Sequence, residues 1–89
     1  MRRDKELAEE ILRALVLDEN SHLNLSTLVE KLKDQAPEAT VRYHTLLLED
    51  IGLVKISDKA YVRVTSAGQD RAENRDKIDP MATWASLAS

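Results

Sequence analysis

The stretch that decides the fold of this chain is "TVRYHTLLLEDIGLVKIS", residues 40–57. Apolar residues recur at helical spacing as far as Ile51, and after Gly52 they alternate with polar residues as in a strand. Gly52 can take the left-handed backbone conformation that closes a helix, and Leu53 directly after it can cover the last turn. The stretch therefore predicts a helix that ends at the glycine and leads at once into a strand.

This helix is expected to begin near Pro37 or Glu38, because proline fits the first turn of a helix but not its interior. Five side chains are expected to face the core, with His44 as a hydrogen-bonded core histidine: Val41, His44, Leu47, Leu48 and Ile51. Five others fall largely on the opposite face: Arg42, Tyr43, Thr45, Leu46 and Glu49.

Two helices and a short strand are predicted upstream. "DKELAEEILRALVLDE" has apolar side chains at helical spacing, with Asp4 as a plausible N-cap and an end near Asp18. "HLNLS" alternates like a strand, and Ser26 is expected to cap a short helix, "TLVEKLKDQ". His22 is expected in a polar loop. Only a few residues separate this short helix from the next.

Downstream, "LVKIS" and "YVRVT" on either side of "SDKA" predict a β-hairpin. Thr65 is expected to cap a short helix, "SAGQDRAENRD". Asp79 and Pro80 could start a terminal turn of helix. Three residues would share one side of that turn and either pack back on the core of the domain, as Trp84 more often would, or form a candidate oligomer interface: Met81, Trp84 and Leu87.

The element order is helix, short strand, helix, tight turn, helix, β-hairpin, helix, which is the winged helix-turn-helix arrangement. The predicted fold class is mainly α with a small β-hairpin: a three-helix core, a wing and a short C-terminal helix. The 89 residues are expected to form one domain over 1–76 with a tail over 77–89.

Composition narrows the function classes. The chain has no cysteine, which excludes disulfides, thiolate zinc sites and thiol catalysis. Its two histidines lack the paired acidic spacing of a metal site, and no nucleophile–base pair or glycine-rich phosphate loop is visible, so we expect no metal, no cofactor and no enzyme. No apolar run could span a membrane and the opening "MRRDKELAEE" is not an apolar signal segment, so we expect a cytoplasmic protein without a membrane partner.

The chain also resembles known families. "RYHTLLLEDIGLV" is similar to the recognition-helix signature of winged-helix repressors of the ArsR type, in which a Ser-x-His-Leu run precedes Leu-x-x-x-Gly-Leu-Val. "YVRVTSAGQD" resembles the Leu-Thr-x-x-Gly wing exit of many such regulators. "MRRDKELAEEILRAL", "YHTLLLEDIGLV" and "VTSAGQD" together look closer to an uncharacterised winged-helix family of phages and prophages. The resemblance covers roughly residues 1–76 and implies a DNA-binding regulator encoded by a phage or prophage.

Two departures from these families limit what the resemblance implies. Metal-sensing relatives of the ArsR type usually rely on cysteines, which this chain lacks, so a thiolate metal sensor is excluded. Arg71, Asn74 and Arg75 follow the wing where relatives tend to be more apolar. A long dimerising C-terminal helix is therefore not expected.

In a helix-turn-helix protein, the second helix of the motif enters the major groove and its first exposed residues meet base edges. Arg42 could contact a guanine with two hydrogen bonds, Thr40 and Thr45 could contact a base edge or a phosphate, and Tyr43 could donate to a phosphate. Five further cations could contact phosphates or the minor groove: Lys31 and Lys33 before the helix, and Lys55, Lys59 and Arg63 in the wing.

The expected partner is double-stranded DNA, bound by a homodimer. A monomer has only one arginine on the helix that enters the major groove, so it would bind weakly and with little sequence preference. The net charge of −3 gives no global attraction to nucleic acid. A winged-helix module that binds a protein, such as a phage inhibitor of a host complex, therefore stays open as the alternative.

Overall fold

The computed structural model describes residues 3–18 and 22–73. The predicted tail over 77–89, with Met81, Trp84 and Leu87 and the turn at Asp79 and Pro80, lies outside the described residues, as do Asn74 and Arg75. In the described part, helices and strands follow in the order α1 (Lys5–Leu17), β1 (His22–Asn24), α2 (Leu25–Lys31), α3 (Glu38–Asp50), β2 (Val54–Ile56), β3 (Tyr61–Val64) and α4 (Ser66–Glu73). The coarse prediction, mainly helical with a small antiparallel sheet, is confirmed.

Helix α1 begins and ends as its sequence predicts. Asp4 has extended backbone angles, and its Oδ1 accepts a hydrogen bond from the Leu7 amide at 3.2 Å. The cap at the other end is Asp18. The apolar stripe of the helix is buried against the rest of the domain: Leu7, Ala8, Ile11, Leu12 and Leu15.

Helix α2 begins earlier than expected. Asn24, not Ser26, is its N-cap, and the Asn24 Oδ1 accepts from the Ser26 amide at 2.9 Å. The amide of Leu25 donates instead to the carbonyl of Ala60 in the hairpin turn at 2.7 Å. The helix therefore starts where the chain leaves the sheet, and Leu25 and Leu28 are buried.

Helix α3 runs from Glu38 to Asp50, with Pro37 as the residue before its first turn. Gly52 has φ +80°, and the Leu53 amide returns to the Leu48 carbonyl at 2.9 Å. Leu53 itself is fully buried. The predicted closure of the helix at Gly52 and the immediate entry into a strand are confirmed.

The hairpin is part of a three-stranded antiparallel sheet in the order β1-β3-β2. The predicted hairpin is present, and the strand predicted around Leu23 pairs with it, which the sequence did not indicate. His22 accordingly lies in β1 and not in a loop, opposite Arg63. One face of the sheet packs on the helices through Leu23, Val54, Val62 and Val64, which are all buried.

Helix α4 is fixed to the end of the hairpin by Thr65. The Thr65 Oγ1 accepts from the Gly68 amide at 3.0 Å and donates to the Gly52 carbonyl at 2.6 Å, so the predicted cap is confirmed and also reaches the end of α3. None of the four helices in the described ranges has both the length and the apolar character needed to cross a membrane.

Candidate nucleic-acid interface

The first turn of α3 is held in place by His44, which is 1% exposed. Its Nε2 accepts a hydrogen bond from the Asp4 amide at 2.8 Å, so Nδ1 carries the proton and donates to the Thr40 carbonyl at 2.8 Å. The predicted role as a hydrogen-bonded core histidine is confirmed. Through this ring, the start of α1 fixes the position of the turn of α3 that precedes Arg42.

Arg42 is on the exposed face of α3 as predicted, but its charge is already engaged. Its Nε donates to the Glu38 carboxylate one turn earlier, at 2.7 Å, and both side chains remain about half exposed. An ion pair of this kind contributes only about 0.3–0.5 kcal/mol to stability. A stronger hydrogen-bond acceptor, such as a phosphate, could therefore replace Glu38 as the partner of Arg42, although the Glu38 carboxylate would remain close to the bound group.

Thr45 does not lie where the sequence analysis placed it. It is fully buried, and its hydroxyl donates to the Val41 carbonyl at 2.8 Å, so it cannot contact a base or a phosphate. Val41, Thr45 and Leu48 are spaced by four and three residues, which puts them on one stripe of the helix. The expectation for Thr45 was wrong, because helical spacing and not residue polarity decides which face of α3 this side chain occupies.

The other two candidates on α3 are only partly accessible. Thr40 and Tyr43 are both half-buried, and the Tyr43 ring meets the His44 ring edge-to-face at 5.4 Å. The exposed large apolar side chain on this helix is Leu46, at 52%. The exposed face of α3 thus consists of the ion pair of Arg42 with Glu38, two apolar residues, Ala39 and Leu46, and the acidic Asp50 at its end.

The two lysines of α2 differ in their surroundings. Lys33, just beyond the end of the helix, is paired with Glu30 at 2.8 Å. Lys31 is exposed and has no carboxylate partner in the described ranges. Of this pair, only Lys31 has an uncommitted charge.

The hairpin carries the remaining predicted cations, and here the charges are uncommitted. Lys55 and Arg63 are directly opposite each other in the register of β2 and β3, while Lys59 is in the exposed turn between the strands. No carboxylate among residues 3–18 and 22–73 forms an ion pair with any of the three. The structure therefore brings Lys55 and Arg63 together, while Lys31 and Arg42 lie on separate helices.

The hairpin is attached to α3 by a contact that the sequence did not reveal. The Glu49 carboxylate accepts from the Ile56 amide at 3.0 Å, on the edge of β2 that faces away from β3. Glu49 is half-buried rather than exposed. This hydrogen bond covers part of an otherwise open sheet edge and fixes the hairpin relative to the end of α3.

Acidic side chains are concentrated elsewhere. A surface depression beside the start of α1 is lined by several carboxylates, among them Asp4, Glu6, Glu9 and Glu10. Glu9 also pairs at 2.9 Å with Arg71 of α4, whose side chain is only 7% exposed. Arg71 therefore links α4 to α1, a role that no sequence pattern indicated. The net charge of −3 is therefore unevenly distributed, with acidic side chains gathered at the start of α1 and basic side chains in the hairpin.

No group of three or more histidine and carboxylate side chains in the described ranges could hold a metal ion. No known family model, curated protein or solved structure matches the chain.

Proposed function

We propose that this chain is a winged-helix protein that binds double-stranded DNA as a homodimer and acts as a transcriptional regulator of phage or prophage origin. Two features of the fold support this assignment. Helices α2 and α3 are joined by a short connection, and a hairpin follows α3 at once. The sheet order β1-β3-β2 places the strand from before the two helices against the hairpin.

The observation that carries the proposal is the distribution of uncommitted positive charge. Five exposed cations have no carboxylate partner in the described part of the chain, and three of them belong to the hairpin: Arg3, Lys31, Lys55, Lys59 and Arg63. The cations Arg13, Lys33 and Arg42 are each paired with a carboxylate three or four residues earlier in the chain. Phosphate contacts by the hairpin thus require no existing ion pair to break.

The hairpin is therefore the main phosphate-binding element of the proposed complex, and α3 has a lesser part. Arg42 and Thr40 at the start of α3 remain the candidates for base contacts, with Tyr43 at their edge. Four phosphate contacts correspond to a slope of about −3.6 in a plot of log K against log salt concentration. Two copies in a dimer would double that slope and reach half-sites about 34 Å apart.

A protein-binding module is the second candidate, and one observation favours it. Leu17 at the end of α1 is 76% exposed and lines a groove with Leu12, Val16 and Ala72. This groove is on the α1–α4 side of the domain, beside acidic Glu9. A partner bound there would not contact Lys55 or Lys59, so the two functions have separate surfaces.

Fluorescence anisotropy with a labelled 20-base-pair duplex tests the proposal. We expect binding at low salt that weakens steeply as salt rises, and we expect Lys59→Gln and Lys31→Gln each to reduce the salt slope by about 0.9. Arg13→Gln is the matched control, because it removes one exposed positive charge from α1. Absence of binding at low salt, or an equal loss with Arg13→Gln, would contradict the assignment.

A further inference from the structure

The face of the sheet that points away from the helices has an unusual composition for an acidic chain. Alternation along β3 places Tyr61 and Arg63 on this outer face, with Val62 and Val64 buried behind them. The strand registers place His22 on one side of Arg63 and Lys55 on the other. Arg63 is therefore the centre of a row of three basic side chains that crosses all three strands.

No acidic residue of the described sheet strands occupies this outer face. Its other two members, Asn24 and Ser57, already accept hydrogen bonds from the backbone amides of Ser26 and Tyr61. Lys55 and Arg63 have no ion-pair partner among the described residues. The positive charge of this face is thus available to an anionic ligand.

An aromatic ring lies beside this row. Tyr61 is 44% exposed, and its ring meets that of His22 edge-to-face, with the centroids 5.8 Å apart. Both rings border an open depression of about 500 Å³ on the outer face, lined by His22, Lys55, Ile56, Ser57, Tyr61 and Arg63. The depression therefore combines an accessible aromatic face with two uncommitted cations.

The spacing of these groups suits successive nucleotides. Neighbouring strands are about 4.8 Å apart, so the row from His22 through Arg63 to Lys55 spans about 10 Å. Tyr61 is two residues from Arg63 on the same strand, which is about 7 Å. A base resting on the Tyr61 ring would leave the adjacent phosphates within reach of Arg63 and Lys55.

We propose that the outer face of the sheet, formed by His22, Lys55, Tyr61 and Arg63, binds single-stranded nucleic acid, with one base stacked on Tyr61 and the flanking phosphates on Arg63 and Lys55. The Tyr61 ring favours a single strand over a duplex. In a duplex the faces of the bases are stacked on each other, and only an unstacked base can stack on a tyrosine. The inference goes beyond the proposed duplex binding and does not depend on it.

Anisotropy with a labelled 12-nucleotide single strand of mixed sequence, run beside the same sequence as a duplex, tests the assignment. We expect Tyr61→Thr to weaken single-strand binding by about fivefold or more, since loss of one stacking contact costs about 1–3 kcal/mol. Threonine is a good strand former, so the sheet is retained. Tyr61→Phe should bind like the unmodified protein, and neither variant should alter duplex affinity.

A second pair of variants tests the phosphate contacts. Arg63→Gln should weaken single-strand binding and reduce its salt slope by about 0.7, while Arg13→Gln on α1 should leave both unchanged. If Tyr61→Thr binds the single strand as well as the unmodified protein, stacking is refuted. Loss with Arg63→Gln alone would then identify a plain phosphate site. Single-strand binding without duplex binding would overturn the proposed function and support this inference.

Discussion

Replacing Gly68 with alanine should destabilise the domain strongly, although Gly68 is inside a helix. A Cβ at this position would overlap the Leu53 carbonyl oxygen and come within 2.7 Å of the Val64 Cγ2. The Leu53 carbonyl cannot swing away, because it accepts a hydrogen bond from the Thr65 amide at 3.0 Å. Helix α4 would therefore have to move away from the hairpin to accommodate one methyl group.

The magnitude follows from two opposed effects. Alanine in place of glycine in a helix interior gains up to about 1 kcal/mol, and less in the first turn, where Gly68 lies. Overpacking against fixed atoms costs about 1–3 kcal/mol or more, and a backbone oxygen puts this site at the upper end. We expect a net loss of about 2–3 kcal/mol, which lowers the Tm of a domain of this size by about 10–20 °C.

Urea and thermal unfolding followed by far-UV circular dichroism measure this loss, with Gly52→Ala as the matched control. Gly52 has φ +80° but nothing within 4 Å of an added Cβ, so its substitution should cost only about 1 kcal/mol, from backbone conformation alone. If Gly68→Ala were no more destabilising than Gly52→Ala, the close approach of α4 to Leu53 would be refuted.

Three other substitutions have defined outcomes. Ala60 has φ +62° in the hairpin turn, so Ala60→Gly should raise the free energy of unfolding by about 0.5–1 kcal/mol, as measured in urea; a loss would contradict the left-handed conformation. Glu38→Gln should release Arg42 and tighten duplex binding about threefold to tenfold, at a cost of about 0.5 kcal/mol in stability; unchanged affinity in anisotropy would place Arg42 away from DNA. Thr45→Val should leave duplex affinity unchanged and lower stability by about 0.5–1.5 kcal/mol, because the hydrogen bond from the hydroxyl to the Val41 carbonyl is lost; weaker DNA binding by the folded variant would show that Thr45 contacts DNA.

The elements that the sequence predicted well are those with a local cause. Asp4 and Thr65 cap their helices through side chains that reach backbone amides three residues on. Gly52 ends α3 because glycine adopts the left-handed backbone conformation that a helix end requires, and this depends only on the local backbone. Short-range hydrogen bonds and backbone sterics depend on residue type and spacing, so the sequence alone predicts these two helix caps and the helix end at Gly52.

The features that escaped prediction depend on contacts between residues of different helices and strands. Arg71 of α4 pairs with Glu9 of α1, which is 62 residues away in the sequence. The amide of Ile56 in β2 donates a hydrogen bond to the carboxylate of Glu49 in α3. The same holds for the candidate site. The two cations opposite each other on β2 and β3 follow from the hairpin, but the addition of His22 requires the pairing of β1, which has only three residues.

Mapping of amide chemical shifts in the 15N-labelled protein during titration with a short duplex tests nucleic-acid binding through the basic hairpin most directly. We predict that the perturbed amides cluster between residues 54 and 64, with smaller changes near Lys31 and at the start of α3. Changes confined to the groove around Leu17 and Ala72 would contradict binding through the hairpin. No change at low salt would contradict DNA binding and favour a protein partner.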